Sequence, residues 1–164
     1  MSRVLCIVVL FSFFLMISCG VSDSEEAGEI EVLFSVTDTT GVESVVFRSG
    51  EMFDVTLVLT NHTGKDLEYT YSGPTIYFEI LREDSVVTSS IYGLAWPAIV
   101  LKGVFKNGTQ KTSTWRAPIS PEDEEFQRTP VLERGGYMVS PGVSLHIEGY
   151  TITTPADIEI LILL

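Results

Sequence analysis

Residues 47–81, FRSGEMFDVTLVLTNHTGKDLEYTYSGPTIYFEIL, decide the fold of this 164-residue chain. Apolar and polar residues alternate in three runs, 51–61, 66–72 and 75–82, as they do along half-buried strands. Two polar, glycine-containing segments separate the runs and have the composition of turns. We therefore predict three consecutive antiparallel strands joined by hairpins. The residues predicted to face the core are Phe53, Val55, Leu57, Leu59, Phe78 and Ile80.

Alternating runs continue on both sides of this stretch. Residues 29–37 predict a first strand with its apolar residues on one face, and residues 45–47 predict a short second strand. Residues 86–92 are more polar and are typical of a strand at the edge of a sheet. The stretch 91–100 is the most aromatic in the chain, but its Trp-Pro pair argues against a regular strand there.

The middle of the chain contains the strongest hairpin signal, Asn107-Gly108. It predicts a hairpin that joins a strand at 99–105 to a strand at 110–115. Residues 117–129 have helical character, because a serine and a proline precede a group of acidic residues. The same segment is equally well explained as a long solvated loop, so the sequence leaves these two alternatives open.

Short strands and turns continue to the end of the chain. The tripeptide 140–142, SPG, predicts a turn before a strand that runs from 143 to 152, and residues 156–164 predict the last strand. Nine to eleven short strands with almost no helix are typical of an antiparallel sandwich or barrel, and we favour the sandwich. The predicted fold is all-β, an antiparallel immunoglobulin-like β-sandwich formed by residues 30–164.

The first 18 residues have the features of an export signal. Arg3 precedes an apolar stretch, 4–17, of about 14 residues, which is shorter than the roughly 20 that a membrane-spanning helix needs. A small residue and an abrupt change to polar sequence follow, as in a secretory signal peptide. The alternatives are an uncleaved anchor and a buried helix.

The end of this segment, Leu-Met-Ile-Ser-Cys at 15–19, resembles the lipobox of bacterial lipoproteins, with methionine where leucine is usual. The resemblance implies cleavage between Ser18 and Cys19 and lipid attachment to Cys19. Cys6 would leave with the signal peptide 1–18. The mature chain would then keep no free thiol, so neither a disulfide nor a cysteine-based metal site is expected.

The acidic composition of the chain limits its partners. Residues 19–29 are small and acidic and are predicted to form a flexible tether. In an alternative interpretation, Asp23, Glu25 and Glu26 resemble the acidic patch that directs some lipoproteins to the cell surface. The formal net charge of the whole chain is −12. Such a protein repels phosphate groups, so we expect no nucleic-acid partner and no electrostatic binding to anionic lipids. The expected location is the cell envelope, on the periplasmic or cell-surface side.

Several segments together are similar to the BsuPI family, which is named for an intracellular proteinase inhibitor of Bacillus. They are FRSGE at 47–51, VTLVLTNHTGK at 55–65, TWR at 114–116 and SPG at 140–142. The resemblance spans about residues 44–152 and implies an immunoglobulin-like sandwich and inhibition of a proteinase. This chain departs from the family in its export signal, in the acidic run 122–125, and in Val143, where the family tends to have an aromatic residue. No inhibitory residue can be assigned from the resemblance.

The sequence lacks the patterns of common enzymes. His62 and His146 stand alone, without the spacing of paired metal ligands, and each is better explained as a structural or solvated residue. No serine lies in a nucleophile elbow, and no glycine-rich phosphate loop is present. The acidic run 122–125 lacks the alternating spacing of a calcium loop and is better explained as a solvated face. We therefore predict a protein that is not an enzyme and has no cofactor or metal.

Two functions remain, and they belong to different classes. The first is a membrane-anchored, non-enzymatic binding module of the cell envelope that contacts a protein or glycan through an exposed Trp96 or Trp115, since aromatic residues often dominate interfaces. The simpler interpretation is that tryptophans lie in the core, which we favour for Trp115 because sandwiches usually bury one. The second is proteinase inhibition of the BsuPI type. The partner, a protease or another envelope protein, is not identified by the sequence.

Replacing Cys19 by alanine is predicted to abolish the membrane anchor. Each methylene of an acyl chain that enters the bilayer contributes about 0.8 kcal/mol, so two chains give stable attachment and none gives release. Membrane fractionation combined with the mass of the mature N-terminus measures this. If the wild-type protein is soluble, or begins at an unmodified residue other than Cys19, the lipoprotein hypothesis is wrong.

Overall fold

The computed structural model describes residues 29–119 and 131–164. Every regular element of these two ranges is a strand, and the all-β prediction is confirmed. The eleven strands are β1 (Ile30–Asp38), β2 (Val46–Arg48), β3 (Phe53–Asn61), β4 (Leu67–Tyr71), β5 (Ile76–Arg82), β6 (Ser85–Ser89), β7 (Leu101–Phe105), β8 (Gln110–Ala117), β9 (Gly135–Val143), β10 (His146–Ile147) and β11 (Ile158–Leu163). In these ranges no helix is long and apolar enough to cross a membrane.

The strands form three sheets. The front sheet has the order β1-β3-β8, and the back sheet has the order β2-β11-β9-β5-β6. A third sheet, which we call the end sheet, has the order β10-β4-β7. All pairs are antiparallel except β2 with β11, where Val46 lies beside Leu161 in a parallel pair. The predicted antiparallel sandwich therefore has one parallel edge.

The front and back sheets pack through aromatic side chains. Phe78 of β5 lies parallel to Trp115 of β8 and to Phe34 of β1, with ring centroids 6.4 Å apart in both pairs. The rings of Phe47 and Phe53 stack at 4.5 Å. All six residues predicted to face the core are at most 1% exposed, so the period-2 prediction is confirmed. Burial of this apolar surface is the main source of stability for the sandwich.

The predicted hairpins are wrong, although the strands on either side of them exist. β3, β4 and β5 lie in three different sheets. Thr60 of β3 pairs with Gln110 of β8, and Leu67 of β4 pairs with Phe105 of β7, so β3-β4 and β7-β8 form one long antiparallel ribbon. This ribbon passes from the front sheet into the end sheet. Asn107-Gly108 turns the chain at this passage and does not close a hairpin, because β7 and β8 do not pair.

A second ribbon connects the back sheet to the end sheet. Ile76 of β5 pairs with Val143 of β9. β4, which precedes β5, pairs with β10, which follows β9, through Thr70 and His146. β4 therefore belongs to both ribbons and is the central strand of the end sheet. The end sheet closes one end of the sandwich, with Leu67, Tyr69, Phe105 and Ile147 buried beneath it.

Asn61 satisfies the backbone where the first ribbon passes between sheets. Its side chain is fully buried, and Nδ2 donates to the carbonyl oxygens of Phe105 at 2.8 Å and Lys65 at 3.0 Å. Its Oδ1 accepts from the amide of Thr63 at 3.0 Å and from the hydroxyl of Thr63 at 2.7 Å. The asparagine amide group has two donor hydrogens and an acceptor oxygen with two lone pairs, and all are used here. The residues that predict a turn in the sequence thus form a buried polar junction.

The turn predicted at 140–142 is also wrong, since these residues lie inside β9. Pro141 pairs with Phe78 of β5. The amide of Phe78 donates to Oγ of Ser90, and its carbonyl accepts from the amide of Ser90, so both groups point away from β9. Phe78 therefore needs no hydrogen bond from the backbone N–H of residue 141. This explains how a proline, which has no N–H, fits within this strand.

The predictions for the remaining segments have mixed outcomes. The strand predicted at 143–152 shortens to the two residues of β10, because the amide of Tyr150 bonds back to the carbonyl of Ile147 at 3.2 Å and turns the chain. β6 lies at the edge of the back sheet, as predicted, and β11 is the predicted last strand. Most of the segment predicted as helix or loop, from residue 120 onward, lies outside the described residues.

Gly103 of β7 lies directly beneath an aromatic ring. It pairs with Tyr69 of β4, whose ring occupies the space that a Cβ at position 103 would need. The ring is held in place because Nζ of Lys111 donates to its hydroxyl at 2.7 Å and also lies over its face. An aromatic ring over a glycine on the neighbouring strand is a known way to stabilise a sheet.

Gly103→Ala is therefore predicted to destabilise the domain by about 1–3 kcal/mol, because the methyl group displaces Tyr69 from Lys111. Gly136→Ala is the matched control in β9, where the added methyl would approach only Oε1 of Glu159, at 3.6 Å. We expect the control to change stability by no more than about 0.5 kcal/mol. Urea unfolding of the two variants measures the difference, and equal stabilities would contradict the packing described here.

Candidate functional site

Exposed apolar residues concentrate in one continuous part of the chain, which we call the apolar segment (residues 86–104). It contains β6, β7 and the connection between them. Nine of the eighteen large hydrophobic residues that are exposed in the described ranges lie here, so this segment is richer in them than the rest of the described chain. They are Val86, Val87, Tyr92, Leu94, Trp96, Ile99, Val100, Leu101 and Val104.

Trp96 lies in the middle of this segment and is 48% exposed. Its ring rests on Gly73 in the connection between β4 and β5, where a Cβ would lie 3.6 Å from Cγ of Trp96. Gly73 has a positive φ of 90°, which glycine adopts without strain. The indole is thus supported on one side by backbone and open to solvent on the other.

The other tryptophan, Trp115, lies in the core and is 8% exposed. Its Nε1 donates to the carbonyl of Ile119 at 2.5 Å. A buried indole needs such a partner, and this one fixes the ring against the end of β8. Of the two tryptophans considered as binding residues, only Trp96 is therefore available to a partner.

The connection from β6 to β7 is held by its own backbone. The amide of Tyr92 donates to the carbonyl of Ser89 at 3.3 Å, and the amide of Leu94 donates to that of Ile91 at 3.1 Å. The amide of Ile99 bonds to the carbonyl of Pro97 at 2.8 Å. These turns direct apolar side chains outward, as their exposed fractions show.

Most of the segment carries no charge, although the protein is acidic. No charged residue occurs from Ser85 to Leu101, whereas the whole chain has a formal net charge of −12. The first charge after this stretch is Lys102. Shifted pKa values occur elsewhere: a hydrogen bond from the Thr40 side chain lowers the pKa of Asp38, and a hydrogen bond to Asp54 raises the pKa of Arg116. The uncharged part of this surface is therefore suited to contacts that exclude water.

The two histidines belong to different elements, since His62 directly follows β3 of the front sheet and His146 lies in β10 of the end sheet. Nε2 of His62 lies 3.0 Å from Oε2 of Glu31 at the exposed end of the front sheet. His146 is exposed on the outer face of the end sheet, which borders a cavity of about 610 Å³. The residues that line the cavity are Glu68, Tyr69, Thr70, Lys102, Gly103, Val104, His146 and Glu148. No described group of three or more His, Cys, Asp or Glu residues is arranged to hold a metal ion.

The remaining predicted residues are not all within the structure. Cys19, most of the tether 19–29 and the acidic run 122–125 lie outside the described residues. Glu29 is described, and its carbonyl accepts a hydrogen bond from the amide of His62 at 3.0 Å. The chain therefore enters the domain beside the Asn61 junction, where β1 begins opposite the end of β3.

Comparisons with known proteins identify no family. No protein-family model matches the chain, and no curated protein matches it. Among solved structures, the β-glucosidase from Listeria innocua in complex with glucose is 14% identical over 82% of this chain and 16% of that chain, with a TM-score of 0.40. A second structure of the β-glucosidase from Listeria innocua is 16% identical with the same coverages and has a TM-score of 0.41. A β-glucosidase involved in saponin metabolism from intestinal bacteria is 13% identical over 81% of this chain and 16% of that chain, with a TM-score of 0.27. Similarities at this level carry no argument about function.

Sequence reasoning identified Trp96 but missed most of the surface around it. The aromatic composition of residues 91–100 was the usable signal. The contribution of β7 was not visible, because the exposure of Leu101 and Val104 depends on β7 lying at the edge of the end sheet. Sheet order is a non-local property that a period-2 pattern does not contain.

Proposed function

We propose that this protein is a membrane-anchored, non-enzymatic binding module of the cell envelope. Lipid on Cys19 provides the anchor, and the apolar segment contacts a protein partner. The observation that supports binding is the concentration of exposed apolar residues in the chain segment that contains Trp96. Large exposed apolar patches on soluble domains mark interaction sites, and aromatic residues contribute strongly to interface energies.

The position of the apolar segment suits a tethered binder. The described chain begins beside Asn61, because Ile30 pairs with that residue. β7 starts at the other end of the end sheet, where Leu101 pairs with Tyr71. The connection that contains Trp96 leads into this far end, so it is separated from the entry point by the length of β7, roughly 17 Å for five residues. A lipid anchor attached upstream of residue 29 would leave this surface accessible.

Proteinase inhibition remains the alternative, supported by the resemblance to the BsuPI family. An inhibitor that imitates a substrate presents an extended segment to the protease. The exposed connection here is instead folded into turns by the backbone bonds of Tyr92, Leu94 and Ile99. No feature of the described residues singles out an inhibitory loop, so we favour the binding module.

Site-specific photo-crosslinking in intact cells tests the proposal. A photoreactive phenylalanine analogue placed at Trp96 is predicted to crosslink the protein to a discrete envelope protein. The matched control is Leu33 on β1, which is 54% exposed and lies outside the apolar segment. The double variant His62→Gln, His146→Gln is expected to keep the crosslink at position 96, because neither histidine lies within residues 86–104.

Two results would contradict the proposal, and a third would contradict the passive role of the histidines. Equal crosslinking from positions 96 and 33 would mean that the apolar segment is not a specific contact. Crosslinks from position 96 to lipid alone would assign the segment to the membrane instead of a protein. Loss of the crosslink in the double histidine variant, with stability unchanged, would show that the histidines take part in binding.

A further inference from the structure

β7 is the outermost strand of the end sheet. Among the described residues it pairs with β4 on one side, and no strand pairs with its other side. An edge strand presents main-chain donors and acceptors that are available to a strand from another molecule. The neighbouring connection supplies the apolar side chains of Ile99 and Val100, which are 51% and 70% exposed. Backbone and apolar groups are thus available together at this edge.

The outer face of β7 carries a defined pattern of side chains. Lys102 pairs with Thr70 of β4, and Val104 pairs with Glu68. Lys106 follows β7 immediately. Because side chains alternate along a strand, Lys102 and Val104 lie on the same face of β7, and Lys106 is the next residue of this alternation, one position beyond the strand. The edge therefore presents a lysine, an apolar residue and a second lysine, with the acidic Glu68 one strand behind.

Neither lysine is neutralised within the described part of the chain. The ion pairs found there are His62 with Glu31, Arg82 with Glu133, and Arg116 with Asp54. Two positive charges at one edge stand out in a chain with a formal net charge of −12. They are complementary to carboxylates on an incoming strand, since opposite charges on neighbouring strands attract.

We propose that the partner binds as an added β-strand on the free edge of β7. This inference rests on the proposed function and specifies the partner: an extended segment of a protein with an apolar side chain opposite Val104 and a carboxylate opposite each of Lys102 and Lys106. Main-chain hydrogen bonds to β7 provide affinity, and the alternating side chains provide selectivity. The residues of the connection, including Trp96, cover the partner where it leaves the strand.

A second copy of this chain fits the edge less well. Pairing two β7 strands about Val104 would place Lys102 of each copy opposite Lys106 of the other, and like charges directly opposite destabilise a sheet. The acidic net charge adds a general repulsion between copies. Lysines on an edge strand are a known protection against such self-pairing, and they still allow an acidic strand to bind.

Five other strands lie at sheet edges, β1, β2, β6, β8 and β10, and they are less suitable for strand addition. The two basic side chains of β8 are already engaged, because Nζ of Lys111 donates to the hydroxyl of Tyr69 and Arg116 pairs with Asp54. β2 and β10 contain three and two residues. The edge of β1 is partly occupied, because the amide of Ser44 donates to the carbonyl of Val36 and the amide of Asp38 donates to the carbonyl of Val42. β6 pairs with β5 through a register shift, and such bulges weaken an edge as a template.

Three short peptides test the inference on the full-length chain in nanodiscs of zwitterionic lipid. The first is the dye-labelled nonapeptide TTETVTETT with blocked termini, the second is the charge-reversed TTKTVTKTT, and the third is the first peptide with all of its backbone amides N-methylated. Fluorescence anisotropy is expected to show at least about tenfold tighter binding of the acidic peptide than of the basic one. N-methylation should abolish binding, because the side chains are unchanged while main-chain donors are lost.

The double variant Lys102→Glu, Lys106→Glu provides the decisive control. Both side chains are exposed, so the variant should fold, which circular dichroism checks, and it should prefer the basic peptide. No binding of the acidic peptide, equal binding of both charges, or binding that survives N-methylation would overturn the inference. Crosslinking from position 96 to an envelope protein would then still support the proposed function, so the two failures are distinguishable.

Discussion

The buried amide of Asn61 is the interaction on which the rest of the structure depends. It lies where the ribbon formed by β3-β4 and β7-β8 leaves the front sheet. The regular ladder of backbone hydrogen bonds cannot continue at this place. Its side chain bonds to the carbonyls of Lys65 and Phe105 and receives two bonds from Thr63. Buried polar groups without partners are costly, so a junction of this kind is stable only when every group is satisfied. In the described residues no buried side-chain polar atom lacks a partner.

The junction determines where the end sheet lies. The exposed amides around it extend the same network: Oδ1 of Asn107 accepts from the amide of Gly64 at 3.0 Å, and Oδ1 of Asp66 accepts from the amide of Asn107 at 2.9 Å. With β4 fixed against β7 on one side and β10 on the other, the end sheet closes the sandwich. The candidate binding surface follows from this arrangement, since β7 becomes an edge and the connection from β6 must cross the outside of the sandwich.

Local patterns in the sequence were sufficient for the strands and their buried faces. The residues at 53, 55, 57 and 59 have opposite polarity to those at 54 and 56, and only an extended chain with one buried face explains this. The connections were misjudged for a physical reason. Residues that favour turns occur at 61–66 and at 107–108. Such residues suit a hairpin, in which the next strand pairs with the previous one, and they equally suit a connection into another sheet. Pro141 is a similar case, because its tolerance depends on the orientation of Phe78 in a neighbouring strand.

The candidate site was predictable in part. Trp96 stood out by composition, while its exposure depends on how its ring rests on Gly73. The significance of Lys102 and Lys106 could not be deduced from the sequence, because isolated lysines are common and only the sheet order places these two beside a free edge. Export and lipid attachment at Cys19, in contrast, are properties of local sequence and stay predictions that the fold does not address.

The most direct measurement of the central claim compares Asn61→Ala with Asn107→Ala in urea unfolding. Asn61→Ala removes the donors from two carbonyls at a buried junction and is predicted to destabilise the domain by about 2–4 kcal/mol. Asn107→Ala removes an exposed bond of the same network and is predicted to cost about 1 kcal/mol or less. Amide exchange in Asn61→Ala should accelerate first in β4 and β7. Equal, small losses in the two variants, or exchange that accelerates uniformly, would contradict the role assigned to Asn61.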